Sequence, residues 1–197
     1  MYDAVIIQAM TMAEHDRHKG ALDPEREEFL FLTVREMVAD LGVETRTAAE
    51  EHSEERLPPP SKPERIVCFS ANDEADEIAA VMLAQLLEHA GFATVSVPLA
   101  SSAVSALSLI EPTANDVFCV SAIQPFAFSH ARTLSRELRA KFPRTKTVVG
   151  VWGFSGDMDR ALLRFQPSPP DKFVRSFAEA LEYLEVPSPS AKSEVSD

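Results

Sequence analysis

The sequence predicts an α/β protein: a flavodoxin-like, doubly wound, five-stranded parallel sheet preceded by a two-helix cap. Three observations support this prediction. Five short apolar runs occur between residues 65 and 176, segments with helical periodicity separate them, and the first 42 residues contain helical patterns alone. Because right-handed crossovers place each connecting helix against the sheet, this alternation implies a parallel sheet covered on both faces.

The first 42 residues predict a helical hairpin that caps the sheet domain. The first helix has an apolar stripe and ends at Gly20. The second begins at Asp23-Pro24, where aspartate can cap a helix and proline suits the first turn, and it is predicted to end at Gly42. The two apolar stripes consist of Val5, Ile6, Ala9, Met10 and Ala13, and of Leu30, Val34, Met37, Val38 and Leu41.

Residues 43–64 predict an exposed linker, because they contain six acidic residues, four prolines and almost no large apolar side chain. The α/β domain follows at 65–186. Its predicted strands are 65–71, 94–99, 117–123, 145–153 and 172–176, and its predicted helices are 75–90, 101–111, 129–142, 158–165 and 177–186. The polar tail at 187–197 predicts disorder.

Composition narrows the classes of partner. The chain has 197 residues and a formal net charge of −12, which repels phosphate backbones and anionic lipid surfaces and argues against a nucleic-acid partner. Its two cysteines, Cys68 and Cys119, lie in apolar runs, so no disulfide framework or metal cluster is indicated and a reducing cytoplasm is the expected location. No apolar stretch approaches the roughly 20 residues that span a bilayer.

In such sheets, ligands bind outside the carboxyl ends of the strands, where the strand order reverses. The loops after Ala71 and Ile123 therefore form the expected site, flanked by the loop after Val149. Asn72 or Asp73 can cap the helix that follows the first strand, and this structural role is weighed against contact with a ligand.

Three short motifs carry a resemblance to a known family. The run Asp73 to Ile78 corresponds to a D-x-H-x-x-G motif, Ser121-Ala122-Ile123 to an S-x-L motif, and Gly150-Val151 to a glycine pair. In this pattern the sequence resembles the cobalamin-binding domains of methionine synthase, corrinoid methyl carriers and light-sensing cobalamin repressors. The N-terminal hairpin is similar to the last two helices of the helical cap in those proteins.

The resemblance also shows what this chain lacks. In that family the histidine ligates cobalt, and Ala75 stands in its place. Ile78, Val151 and Trp152 replace or follow small residues and are expected to narrow the channel for the nucleotide tail. No bound cofactor is therefore expected, with cobalamin bound without a protein ligand as the alternative. The predicted ligand groove consists of Asn72, Asp73, Ala75, Asp76, Ser121, Ile123, Gln124, His130, Gly150 and Trp152.

Longer stretches resemble a second group. NDEADEIAAVMLAQLLE, VSAIQPFAFSHAR and VVGVWG are similar to the soluble C-terminal region of bacterial permeases related to autoinducer-2 exporters. This resemblance implies a membrane-transporter segment as a partner and a location at the cytoplasmic face of the inner membrane.

The remaining polar and aromatic residues leave alternatives open. His15 and His18, beside Glu14 and Asp16 on the first helix, are weighed as metal ligands on one helical face, but two ligands do not make a site, so they are interpreted as a solvated face. His130 is interpreted as a helix-capping or groove-lining residue, so that neither catalytic residues nor a metal site are predicted. The aromatic residues after the third and fourth strands either fill the groove or form a self-association surface. They are Phe126, Phe128, Trp152 and Phe154.

Three functional hypotheses follow. The first is a non-enzymatic cytoplasmic regulatory or sensory domain that binds a small-molecule ligand or a second copy of itself as a homodimer. The second is a corrinoid-binding or corrinoid-dependent methyl-transfer protein that takes its imidazole from His15, His18 or His130. The third is a structural dimerisation domain, in which the helical hairpins of two chains complete a four-helix cluster.

Overall fold

A computed structural model describes residues 2–51, 63, 65–99 and 111–185. It confirms the predicted fold class: five strands form one parallel sheet in the order β2-β1-β3-β4-β5. The strands are β1 (Ile66–Ser70), β2 (Thr94–Val97), β3 (Val117–Ile123), β4 (Lys146–Trp152) and β5 (Lys172–Val174). This is the flavodoxin-like order, with its switch point between β1 and β3.

Six α-helices and one turn of π-helix are present among these residues. After the π-helical turn Tyr2–Ile6 come α1 (Ile7–His18), α2 (Pro24–Glu51), α3 (Glu74–His89), α4 (Ala127–Lys141), α5 (Met158–Leu163) and α6 (Phe177–Glu185). The helix predicted at 101–111 and the predicted tail at 187–197 lie outside the described residues, except for Glu111. None of the described helices combines the length and apolar character needed to cross a membrane.

Side chains of the buried strands alternate between two cores, as the period of a β-strand requires. On one face of the sheet, Cys68, Cys119 and Val148 pack with α3, α6 and the N-terminal helices. On the other face, Phe69, Phe118 and Val149 pack with α4 and α5. Both cysteines are buried free thiols on the first face.

β2 and β5 each end two residues earlier than predicted, each for a local reason. β2 stops at Val97 because Pro98 has no N–H to donate to a neighbouring strand. β5 stops at Val174 because the next backbone N–H, that of Arg175, donates to the carboxylate of Glu179 in α6 at 2.9 Å. The N–H of Arg175 thus serves the start of a helix, while its carbonyl oxygen still accepts the N–H of Gly153, directly after β4, at 3.0 Å.

Helix α2 does not end at Gly42, as the sequence predicts, but continues to Glu51. Gly42 is a packing position, since a Cβ there would overlap the side-chain amide of Gln85 on α3. That amide donates to the carbonyl oxygen of Val38 at 3.0 Å. One interior glycine costs a helix only about 1 kcal/mol, and the residues 43–51 that follow are rich in helix-compatible alanine and glutamate. The predicted linker therefore starts at least nine residues too early, and its remainder, 52–62 and 64, lies outside the described residues.

Candidate functional site

Helix α1 lies over the carboxyl edge of the sheet, where a ligand would bind in this fold. Gly153, directly after β4, has a φ of 73°, and a Cβ there would lie 3.5 Å from Ile7 and Thr11 of α1. Ile7 and Met10 are fully buried beneath the helix. One wall of the predicted groove is therefore the chain's own N-terminal helix.

Arg17 at the end of α1 joins the N-terminal hairpin to the loop between β1 and α3. Its Nη2 lies 2.6 Å from Glu14 Oε2 and 2.5 Å from Asp73 Oδ2. Its Nη1 lies 3.3 Å from Glu27 Oε1 on α2. One guanidinium thus contacts carboxylates from three separate segments of the chain.

Asp73 and Asp76 have different structural roles. Asp73 caps α3, because its Oδ1 accepts the backbone N–H of Asp76 at 3.2 Å. Asp76 is 3% exposed, and its Oδ1 accepts the backbone N–H of Ile123 at 2.7 Å. Burial raises the pKa of the Asp76 carboxyl well above its usual range, and the negative charge of Asp73 adds to this effect. Asp76 therefore fixes the start of α3 against the end of β3.

Trp152 fills the space above Gly150. A Cβ on Gly150 would overlap the indole ring, which is 1% exposed and lies with its centroid 4.5 Å from that of Phe177. Gly150 pairs with Ser121 across β4 and β3. Ser121 Oγ and Trp152 Nε1 are both buried and have no hydrogen-bond partner among the residues that the structure describes. The indole thus occupies the glycine groove that the sequence motif suggests.

Three other changes at the motif positions, Ala75, Ile78 and Val151, have different outcomes. Ala75 and Ile78 are buried in the core on the α3 side, and Ala75 offers no ligand atom. The expectation that Val151 narrows the same channel is wrong, because its side chain belongs to the core on the α4 side. Adjacent residues of a strand point to opposite faces, so Trp152 alone of this pair can fill the groove.

Two other predicted groove residues, Asn72 and His130, line a cavity to which Asp73 and Asp76 do not contribute. This cavity of about 330 Å³ lies beside α4 and is also lined by Ser70, Val97, Thr133 and Glu137. Gln124 is half-buried and precedes a cis proline, Pro125. The predicted groove residues thus do not form one group. Asn72 and His130 line the cavity beside α4, whereas Asp73 and Asp76 connect the start of α3 to Arg17 and to the end of β3.

The predicted aromatic set is divided in the same way. Trp152 packs on Phe177 on the α3 side, whereas Phe128 has its ring centroid 5.0 Å from that of Phe154 on the α4 side. Phe126 is exposed and packs edge-on against His18 at 4.6 Å. Most of these rings therefore contribute to the cores, and Phe126 contacts the N-terminal hairpin.

Sequence reasoning places His18 on a solvated helix face and does not identify the contacts of Glu14 and Arg17. Glu14 is buried, and burial raises the pKa of its carboxyl while the hydrogen bond from Arg17 opposes this shift. His18 Nε2 lies 3.3 Å from Glu14 Oε2. The sequence pattern could have indicated a buried role for Glu14, because Ile7, Met10 and Glu14 lie on one face of the helix. An acidic side chain on an apolar face requires a polar partner.

Comparisons with known proteins bear on the fold. No family model and no curated protein matches the sequence. One similar solved structure is that of a novel cobalamin-binding protein from Desulfitobacterium hafniense DCB-2, with 15% sequence identity and a TM-score of 0.51. The match covers 90% of this chain and 77% of the other. The chain has a cobalamin-binding-like fold.

Within this cobalamin-binding-like fold, the residues present do not fit a corrinoid bound with its tail inserted. Ala75 cannot coordinate cobalt, Trp152 occupies the space above Gly150, and α1 lies on the loop after β4. At 15% identity the likeness extends to the fold alone, and the resemblance to permease domains stays a prediction.

Proposed function

We propose that this chain is a non-enzymatic regulatory domain, in which a cobalamin-binding-like fold is closed by its own helix α1. In this proposal the domain transmits a signal through the position of α1 and does not use a corrinoid. The observation that carries the proposal is the contact of Arg17 with Asp73, since it attaches α1 to the loop where the family resemblance would place cofactor chemistry.

Attachment of α1 at both ends supports a regulatory role. At the N-terminal end, Asp3 accepts the backbone N–H groups of Phe177 and Ala178 at the start of α6, at 2.9 and 3.2 Å. At the other end, Arg17 reaches Asp73. Partly exposed polar contacts of this kind contribute little individually, so most of the attachment comes from Ile7 and Met10, which are fully buried beneath α1. A ligand or partner that releases the helix must offset this burial.

The distribution of reactive groups favours a non-enzymatic role. Ser121, the one hydroxyl among the predicted groove residues, is fully buried. His130 lines the cavity beside α4 and does not meet Asp73 or Asp76. A nucleophile and a base within hydrogen-bonding distance, as nucleophilic catalysis needs, are not brought together by these residues.

Hydrogen exchange of the full chain tests the closed arrangement. Arg17→Ala leaves the buried Glu14 carboxylate without its cation, a loss on the order of 2 kcal/mol. Exchange in α1 is then expected to accelerate by about tenfold or more, with little change in β3 and β4. Arg26→Ala is the matched control, because Arg26 is an exposed arginine that pairs with Asp23. Equal exchange of α1 in both variants would refute the proposal.

Thermal unfolding with hydroxocobalamin and adenosylcobalamin tests the corrinoid alternative. A ligand that binds the folded state selectively raises the melting temperature. No shift is expected, and no corrinoid absorption should co-elute with the chain. A shift together with a bound corrinoid spectrum would support the methyl-transfer or corrinoid-binding hypothesis instead.

A second candidate function is self-association through α2. Phe29 and Leu32 are large apolar residues one turn apart on α2, and they are 70% and 54% exposed. Met37 on the same helix is 52% exposed. Exposed apolar residues at this spacing favour a helix-to-helix contact between two chains, as the homodimer hypothesis requires. Light scattering tests it: a dimer that Phe29→Ser and Leu32→Ser convert to a monomer supports the proposal, and a strict monomer refutes it.

A further inference from the structure

We infer that Glu14, His18 and Asp73 form a binding site for a divalent transition-metal ion, at the contact between α1 and the loop that precedes α3. The inference depends on the packing of α1 against this loop, and it does not require the regulatory role proposed above.

The three side chains are already placed together. Ligand atoms of Glu14, His18 and Asp73 all lie within 4.8 Å of one another. Glu14 and His18 are four residues apart and therefore share one face of α1. Asp73 comes from the N-cap of α3, where backbone hydrogen bonding fixes its position. Two rigid elements thus contribute the ligands, which limits the rearrangement that a metal ion would require.

Glu14 supplies an independent indication of a missing ligand. Its side chain is 2% exposed, and its Oε2 is the oxygen that contacts Arg17 and His18. Its Oε1 is buried and has no hydrogen-bond partner in the described part of the chain. A buried carboxylate oxygen without a partner is costly, and a cation beside it would remove that cost.

The local charge also favours a cation. Glu14, Glu27 and Asp73 surround one guanidinium, that of Arg17. Acidic groups therefore exceed the positive charge that Arg17 provides.

The ligand set indicates the class of metal. One imidazole nitrogen with two carboxylate oxygens suits Zn²⁺ and related first-row ions better than Ca²⁺ or Mg²⁺, which prefer oxygen ligands alone. Three protein ligands leave at least one coordination position for water. His15, which the sequence pairs with His18, is exposed and does not belong to the group.

Arg17 and the metal ion compete for the same two carboxylates. Arg17 Nη2 contacts Glu14 Oε2 and Asp73 Oδ2, and both carboxylates belong to the group that would bind the ion. Binding of a metal ion is therefore expected to displace the guanidinium toward Glu27. Removal of the arginine should strengthen metal binding, because the carboxylates then lack their resident cation.

Calorimetric titration with ZnCl₂ tests the site. The full chain is used without a polyhistidine tag and after dialysis against a chelator. One Zn²⁺ per chain is expected to bind, His18→Gln should weaken binding at least about tenfold, and His15→Gln, on the same helix, should not. Arg17→Gln should tighten binding, and CoCl₂ should give the visible absorption of a low-coordinate Co²⁺ ion that His18→Gln abolishes.

Two outcomes would overturn the inference. The first is the absence of binding to the wild-type chain, and the second is equal binding by the His15→Gln and His18→Gln variants. Circular dichroism of each variant establishes that it is folded. If His18→Gln unfolds the chain, the Arg17→Gln comparison decides alone, and weaker or unchanged binding by that variant refutes the site. A failure here leaves the hydrogen-exchange test of α1 unaffected.

Discussion

The indole of Trp152 covers Gly150, two residues earlier on the same strand, and leaves no space for a Cβ at that glycine. Trp152 faces the core on the α3 side, and the ring of Phe177 in α6 has its centroid 4.5 Å from that of the indole. Gly150, Trp152 and Phe177 thus form a packed aromatic contact.

This contact predicts strongly non-additive stability effects. Gly150→Ala should destabilise the fold by about 1–3 kcal/mol, because the added methyl group displaces the indole. Trp152→Ala should cost about 3–5 kcal/mol through loss of burial and formation of a cavity. In the double variant most of the cost of Gly150→Ala should disappear, since the methyl group then enters the vacated space. Urea unfolding of the wild-type chain, the two single variants and the double variant measures this double-mutant cycle. If the costs of the two substitutions were additive, the indole would not be the group that excludes a Cβ at position 150.

The sequence predicted the fold more completely than the site. Strand β3 was predicted over the residues it occupies, 117–123, because an uninterrupted apolar run suits a central strand buried on both faces. The end of α2 was not predicted, because Gly42 resembles a terminating glycine and its contact with Gln85 joins residues 43 positions apart. Such a long-range contact cannot be predicted from the residues that neighbour Gly42 in the sequence.

The same distinction applies to the site residues. Adjacent residues of a strand point to opposite faces, so Val151 and Trp152 cannot both fill the groove. This could have been predicted from the sequence. The contact between Arg17 and Asp73 joins residues 56 positions apart, and it depends on how the N-terminal helix docks on the sheet. That docking is a tertiary property, which local periodicity does not encode.

The two cysteine thiols are predicted to be unreactive in the folded chain. Cys68 and Cys119 are buried on neighbouring strands. The hydrogen bond with Cys119 and burial together raise the pKa of the Cys68 thiol well above its usual range, so little thiolate forms. A thiol reagent such as Ellman's reagent should therefore modify neither residue in native buffer and both in denaturant. Rapid modification of the native chain would contradict this placement.

Asp3 is predicted to couple the N-terminal segment to α6. Asp3→Ala should lower the free energy of unfolding by about 1 kcal/mol, because two N–H groups at the start of the helix lose their acceptor. Asp3→Asn retains one acceptor oxygen and should lose less. Ser176→Ala is the control, because Ser176 Oγ accepts the N–H of Glu179 without contacting the N-terminal segment. Hydrogen exchange in residues 2–18 should increase for Asp3→Ala and not for Ser176→Ala.

Asp76 is predicted to make the stability of the chain depend on pH. Burial raises the pKa of its carboxyl in the folded state above the ordinary value of 3.8, so the folded chain holds a proton that the unfolded chain releases. The free energy of unfolding contributed by this group therefore falls as pH rises from 3.8 toward the raised pKa of the folded state. Above that pKa the folded chain carries the full cost of a buried carboxylate.

Asp76→Asn should remove this dependence, because the amide does not titrate and its oxygen can still accept the N–H of Ile123. At neutral pH the variant should be more stable than the wild-type chain, since its side chain carries no charge that burial would penalise. Asp159→Asn is the control, because Asp159 is an exposed acid in the first turn of α5 and should shift stability by less than about 0.5 kcal/mol. Urea unfolding between pH 4 and 8 measures both variants. If Asp76→Asn were destabilised across this range, the hydrogen bond would require the ionised carboxylate, and burial would not be the dominant effect on Asp76.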